Sequence, residues 1–238
     1  YEDVYPVLYL KYRLLGKSSQ KNIKHLVIDE MQDYSYMQYV ILENLFQCRM
    51  TILGDYAQTL DTKQQDVLKF LPKIFGKDIR KVILNKSYRN TYEIAQYAAQ
   101  ISGITGLELL ERHGSPVDVR KFDTEDEMLD AIASNVNLGK DGYETGAVIT
   151  MTEDEAYDLY RLLKKRGVDA AYVDRDSSAF KRGLTVTTFY LAKGLEFDQV
   201  FTIRGAKKNP LADQAEYISA TRALQELYVY ETGSDSKA

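Results

Sequence analysis

The chain has 238 residues, of which 45% are hydrophobic, 28% charged and 11% aromatic, an ordinary globular composition with length for one large domain or two small ones. Formal net charge is −4 and the pI about 5.4, which excludes a global positive field of the kind that marks nucleic-acid binders. The single cysteine, Cys48, excludes an internal disulfide framework and suits a reducing compartment, and no apolar run approaches a membrane span. A cytoplasmic location without membrane attachment is the expectation, and the opening at Tyr1, straight into "YEDVYPVLYLKYRLLGK", reads as the start of an excised piece.

The predicted elements alternate. "HLVIDE" reads as a buried strand, and "YSYMQYVILENLFQC" as a helix with Met37, Val40, Ile41 and Leu45 on one face. "RMTILGD" is a second strand, "QQDVLKFLPKIFG" is helical until Pro72, and "RKVILN" is a further short strand. "SYRNTYEIAQYAAQISG" begins a helix that Gly103 stops. From about residue 115 a second series follows: strand "VDVRKF", helix "DTEDEMLDAIASNVNLGK" with acids in its first turn, strand "GAVITM", and helix "TEDEAYDLYRLLKKRG" between Thr152 as N-cap and Gly167. "DAAYVD", "LTVTTFY" and "DQVFTI" are strands, "ADQAEYISATRALQ" a helix, "ELYVYE" a last strand, and "TGSDSKA" a frayed tail. Strands alternating with helices predict an α/β fold of parallel sheets flanked by helices. Ligands of such sheets gather beyond the carboxyl ends of strands, where Asp29, Asp55 and the segment after Tyr190 fall.

"LVIDE" has the form of a segment that delivers one carboxylate to a sheet edge for Mg²⁺ and a second for an attacking water. Taken alone it is a common way for a strand to end. In order after it come "ILGDYAQ", "NKSYRN", "TTFYLAKGLEFDQVF" and "YISATRAL". With these the sequence resembles the ATPase core of superfamily 1 helicases of the UvrD/Rep type, "VIDEMQD" resembling their motif II, "LGDYAQ" motif III, "LNKSYRN" motif IV, "AKGLEFDQV" motif V and "YISATRA" motif VI. The wording "IDEMQDYS" and "YLAKGLEFD" is most similar to the HelD-type (helicase IV-like) branch, helicase-like ATPases that act on RNA polymerase.

The resemblance implies RecA-like domains: residues 1–90 as the end of a first, with motifs II to IV, and residues 91–238 as a complete second, with motifs V and VI. It implies ATP and Mg²⁺ as cofactors, with Asp29 as the magnesium carboxylate, Glu30 as the base, and Gln58 sensing the γ-phosphate and the attacking water. Tyr88 would stack on adenine, Arg89 would reach the γ-phosphate, and Gly194 and Glu196 would approach the nucleotide. Arg222 would be the arginine finger, and Thr188, Tyr190 and Lys193 would face nucleic acid. Fixed guanidinium groups aimed at a charge-rich phosphoryl-transfer state accelerate that step, and arginines from two lobes would make it depend on closure.

A phosphate-binding loop needs G-x-x-x-x-G-K-[ST]. Gly16-Lys17-Ser18 matches only its last three positions, with Lys11 where the first glycine belongs. It is a decoy, so these 238 residues are expected to be inactive by themselves and to need a preceding N-terminal half as partner. About 100 residues separate motifs IV and V, too few for the large accessory insertion of UvrD. Motif III continues as "QTLDTKQQD", without the aromatics that stack on single-stranded bases, and motif V has Tyr190 where the family usually has histidine. Three readings stand: an ATP-driven helicase or translocase on single-stranded DNA, an ATPase acting on RNA polymerase, and a non-catalytic binding module.

Overall fold

The computed structural model describes residues 4–15, 20, 22–58, 67–140, 142–177, 182–205 and 209–233. The chain divides into two compact units, residues 1–83 and 84–238, so "LNKSYRN" belongs to the second. The Gly16-Lys17-Ser18 stretch, most of "QTLDTKQQD", the "AKK" of residues 206–208 and the last five residues of the tail lie outside the described residues.

In the first unit a helix α1 (Val4–Leu15) precedes strand β1 (His25–Ile28), helix α2 (Tyr36–Leu45), strand β2 (Arg49–Ile52) and helix α3 (Val67–Phe75). A helix therefore covers residues 4–15, where a phosphate-binding loop requires a strand followed by an open glycine loop. β1 and β2 pair in parallel, Ile28 opposite Ile52. Leu26 and Ile28 of β1 and Met50 and Ile52 of β2 pack with Tyr39, Leu42, Phe70 and Leu71 of the helices into one core. The other face of this two-stranded sheet, with His25, Val27 and Thr51, is exposed. β1 is thus half-buried and alternating rather than buried throughout, because helices cover one face only.

Three local expectations are corrected. The centre of α2 is Tyr39, fully buried and in contact with the Tyr34, Phe70 and Phe75 rings, not the aliphatic stripe. α3 continues through Pro72 to Phe75, since Phe70, Leu71, Ile74 and Phe75 anchor it in the core and outweigh the hydrogen bond that proline cannot make. "RKVILN" forms no strand until the two-residue β3 (Lys86–Ser87). Val82, Ile83 and Leu84 are 65, 72 and 84% exposed; β-propensity without a neighbouring ladder does not make a strand.

In the second unit β3 pairs with β4 (Glu108–Leu109), and helix α4 (Tyr92–Ser102) lies between them. Then come β5 (Asp118–Phe122), α5 (Glu125–Asn135), β6 (Thr145–Thr150), α6 (Glu153–Lys165), β7 (Ala170–Tyr172), β8 (Gly183–Thr188), β9 (Phe197–Arg204), α7 (Ala212–Ala220) and β10 (Ala223–Thr232). Six strands form one parallel sheet in the order β5-β10-β9-β6-β8-β7. Thr124 and Thr152 each close a capping box with the glutamate three residues on, so α5 and α6 start where the sequence places them. α5 and α6 cover the face that carries Val148, Phe201 and Tyr230. α4 and α7 cover the other, where Arg204 of β9 meets Glu216 of α7 and Tyr97 of α4. β7 and β8 are joined by residues 173–182 alone, which leaves no room for an inserted domain. Among the described residues no helix is long and apolar enough to cross a membrane.

Candidate nucleotide site

At the tips of β1 and β2 the backbone is cross-linked. The Leu53 amide donates to the Ile28 carbonyl and the Met31 amide to the Leu53 carbonyl, both at 2.8 Å. Asp29 leaves β1 exposed, and its Oδ1 accepts the Glu30 amide (2.8 Å). Glu30 sits at φ 53°, ψ 48°, a left-handed conformation that costs an L-residue about 1–2 kcal/mol. A tight turn (Met31–Asp33) follows, and Gln32 within it is buried. Gln32 Nε2 donates to Glu30 Oε2 (2.6 Å), and Gln32 Oε1 accepts the Asp55 amide (3.1 Å). One amide side chain thus ties the acidic turn after β1 to the acidic turn after β2. Asp55 Oδ1 accepts the Ala57 amide (3.0 Å), and Asp55 Oδ2 accepts from Gln58 Nε2 (2.8 Å). Asp29, Glu30, Asp55 and Gln58 are therefore brought together, as the order of motifs implies. Gln32 was missed; a glutamine two residues past the acids carries no signal until the turn buries it.

The junction depends on Gly54. A Cβ there would lie 2.4 Å from Met31 Cγ, 2.5 Å from Gln32 Oε1 and 2.7 Å from the Met31 nitrogen, and the last is backbone that cannot step aside. Gly54→Ala is expected to destabilise the first unit by about 1–3 kcal/mol and to detach Gln32 from the Asp55 amide. Urea unfolding and faster hydrogen exchange at Asp55 are the measurements; a variant matching the parent in both would contradict this packing.

In the second unit the loop between β8 and β9, residues 189–196, carries the "KGLE" turn with Gly194 at φ 81°, a backbone setting that suits glycine. Glu196 Oε1 and Arg89 Nε form an ion pair at 2.8 Å, both side chains nearly half exposed. Arg222 is 2% exposed. Its Nε donates to the Ile218 carbonyl (3.2 Å), Nη1 to the Leu195 carbonyl (3.2 Å) and Nη2 to Thr221 Oγ1 (3.1 Å), while the Phe197 amide donates to the Arg222 carbonyl (2.9 Å). Arg222 thus braces the loop that presents Glu196. Arg89, Glu196, Gly194 and Arg222 form one cluster, and Tyr88 beside it is 66% exposed, its ring open to solvent.

Two further residues hold Tyr88 and Arg89 in place and were not singled out by sequence. Buried Asn90 donates through Nδ2 to the Ala223 carbonyl (2.5 Å) and the Thr221 carbonyl (3.4 Å). Arg112 Nη2 donates to the Arg89 carbonyl (2.6 Å) and the Leu224 carbonyl (2.8 Å). Asn90 directly follows the arginine of "SYRN", and a polar residue beside an apolar-flanked motif is the only hint the sequence offers.

The residues assigned to nucleic acid lie at the end of β8 and in the loop after it, and differ in exposure. Thr188 is buried at the end of β8, and Lys193 is half-buried. The Tyr190 hydroxyl donates to Glu153 Oε1 (2.5 Å), Arg175 lies over the Tyr190 ring at 5.6 Å, and Arg175 Nε pairs with the same Glu153 oxygen (2.7 Å). The hydrogen bond with Tyr190, and then the Glu153 charge, hold the Arg175 guanidinium above its ordinary pKa. His25 and His113 are structural, bonded to Thr51 Oγ1 (2.8 Å) and Glu93 Oε1 (2.9 Å).

A family model described as the UvrD/REP helicase N-terminal domain matches residues 5–60, the stretch that carries both acidic strand tips of the first unit. No curated protein matches the chain. Among solved structures the chain is similar to the C-terminal domain of a possible DNA helicase from Lactobacillus plantarum WCFS1, with 24% identity over 62% of this chain and 89% of that one and a TM-score of 0.47. It is also similar to the arterivirus helicase nonstructural protein 10 in complex with DNA, with 18% identity, 87% of this chain and 40% of that chain covered, and a TM-score of 0.48. The same helicase without DNA gives 17% identity, 86 and 38% coverage and a TM-score of 0.46. The chain spans about two fifths of the arterivirus helicase.

Proposed function

We propose that the chain is the C-terminal part of a superfamily 1 DNA helicase or translocase of the UvrD type, and that it supplies residues for magnesium-dependent ATP hydrolysis. The observation that carries this reading is the joined network at two adjacent parallel strand tips, where Gln32 links Glu30 to Asp55 and Asp55 holds Gln58. The residues fit a magnesium nucleotide. Asp29 stands exposed at its tip, and a single exposed carboxylate suits Mg²⁺, which keeps few protein carboxylates and takes its other ligands from water and phosphate.

Bound Mg-ATP would supply the phosphoryl group, and Asp29 would hold the metal. Glu30, its Oε2 steadied by Gln32, would take the proton of the attacking water, and Gln58 would orient that water. In the second unit the exposed Tyr88 ring offers a face for adenine. Arg89 would exchange Glu196 for phosphate oxygens, with Glu196 left to the ribose; Arg222, expected from the resemblance to be the arginine finger, is instead buried with its guanidinium bonded to the Ile218 and Leu195 carbonyls and would act behind the "KGLE" turn.

The 238-residue chain, lacking the phosphate-binding loop motif, is expected to show no magnesium-dependent ATP turnover. Sustained turnover that Glu30→Gln abolishes would refute that part. In a longer polypeptide that supplies the loop, stimulation by single-stranded DNA tests the helicase reading. A second reading gives the ATPase a protein target, RNA polymerase, as in the HelD-type branch. It is favoured by Tyr190, whose hydroxyl and ring are engaged by Glu153 and Arg175. Greater stimulation by polymerase than by DNA supports it, and nucleotide binding without turnover in the longer polypeptide would leave a non-catalytic module.

A further inference from the structure

Met31, the residue after Glu30, is fixed through both of its backbone groups. Its amide donates to the Leu53 carbonyl at 2.8 Å, and its carbonyl accepts the Tyr39 hydroxyl at 3.0 Å and the Tyr34 amide at 3.3 Å. The first bond ties the turn to the neighbouring strand tip. The Tyr39 bond ties it to the core, because Tyr39 stands in the first turn of α2, fully buried, with its ring against those of Tyr34, Phe70 and Phe75. The helix start is itself fastened. Ser35 Oγ accepts the Gln38 amide (3.4 Å) while the Ser35 amide donates to Gln38 Oε1 (2.6 Å), a box that sets where the helix begins.

Glu30 needs this hold. A left-handed φ on a residue other than glycine persists only where the surroundings over-determine it, and among the described residues Glu30 is the one such case. The parallel ladder holds the chain before it, with Ile28 opposite Ile52, and Met31 holds the chain after it, so its dihedrals are set from both sides. One neutral hydrogen bond contributes about as much as such a conformation costs, so losing an anchor of Met31 lets the turn relax. A phenylalanine would fill the same space among the rings; what it could not supply is the bond to Met31. Burial, with smaller contributions from Tyr34 and Asp33, holds the Tyr39 hydroxyl above the ordinary tyrosine pKa, and it stays protonated, and a donor, at neutral and mildly alkaline pH.

We propose that Tyr39 is a positioning residue for ATP hydrolysis: through the Met31 carbonyl its hydroxyl keeps Glu30 in the left-handed turn, so that the carboxylate steadied by Gln32 is presented in one orientation. This rests on the nucleotide site proposed above and adds to it a side chain outside every motif, eight positions beyond Met31. A base held in a single orientation loses rate when its support loosens, even where substrate binding does not change.

The test is Tyr39→Phe, which keeps the ring in the core, set beside Tyr39→para-aminophenylalanine, which restores a donor. In the 238-residue protein without nucleotide, hydrogen exchange at the Met31 amide should quicken at least about fivefold beyond any change at Leu71, and the amine should reverse it. In a polypeptide that supplies the phosphate-binding loop, Tyr39→Phe should lower kcat at least about fivefold with KM unchanged within about twofold, and the amine should restore kcat. Unchanged exchange at Met31 overturns the proposal, and so does an amine variant that behaves as Tyr39→Phe. Exchange quickened equally at Met31 and Leu71, with kcat and KM moving together, would make Tyr39 a core residue alone and overturns it too. An active parent with full kcat in Tyr39→Phe overturns this proposal and leaves the nucleotide reading standing, whereas a parent without turnover overturns that reading and this proposal with it.

Discussion

Replacing Glu30 with glutamine is expected to slow magnesium-dependent ATP hydrolysis by about 10²–10⁴-fold in a polypeptide that supplies the phosphate-binding loop, with nucleotide affinity nearly unchanged. Glutamine preserves the length of the side chain, and its carbonyl oxygen can still accept the bond that Gln32 Nε2 now gives to Glu30 Oε2. The link onward to the Asp55 amide is then intact, and the change isolates proton acceptance from geometry. Single-turnover hydrolysis and equilibrium binding of a fluorescent nucleotide separate the two. Full-rate hydrolysis by the variant would remove Glu30 from the chemistry. Loss of binding in equal measure would make it a positioning residue instead.

The second large effect concerns Arg222. Arg222→Ala strips the Leu195 and Ile218 carbonyls of a charged donor and leaves a void where the side chain is 2% exposed. The expected cost is about 3 kcal/mol, a fall in melting temperature of roughly 6–12 °C for a unit of this size. Hydrogen exchange in residues 189–196 should quicken, because the guanidinium is what fastens Leu195. Arg222→Lys should fall between, since one ammonium cannot span three acceptors in the geometry of a fork. Unchanged melting and exchange would show that the guanidinium is no brace. A side chain so placed would couple any nucleotide response of the "KGLE" turn to the end of α7.

The layers of the fold were legible because the second unit is locally consistent. Thr124 and Thr152 cap their helices with their own glutamates, and strands such as Gly183–Thr188 are buried on both faces, so pattern and tertiary setting agree. Reading fails where the setting decides. "RKVILN" has the composition of a strand but no ladder to join, and Pro72 reads as a stop yet is carried by the aromatic core beneath it. At the candidate site the ordered motifs pointed to Asp29, Glu30 and Gln58 in the first unit and to Arg89 and Glu196 in the second, and within each unit these residues are joined. The motifs said nothing of Gln32 or Asn90, whose amides bond to groups 23 and 133 residues away in the chain. Motif spacing encodes which side chains meet a ligand; the side chains that hold them still are fixed by packing, which has no fixed spacing.

The positive φ of Glu30 has a bearing on how the protein would respond to laboratory evolution. Glycine at that position would relieve about 1 kcal/mol of backbone strain. A library randomised at codon 30 and screened by heat resistance alone should therefore enrich glycine and asparagine, whereas a turnover screen in a polypeptide that supplies the phosphate-binding loop should return glutamate. Thermal endurance and chemical competence would pull this one residue in opposite directions.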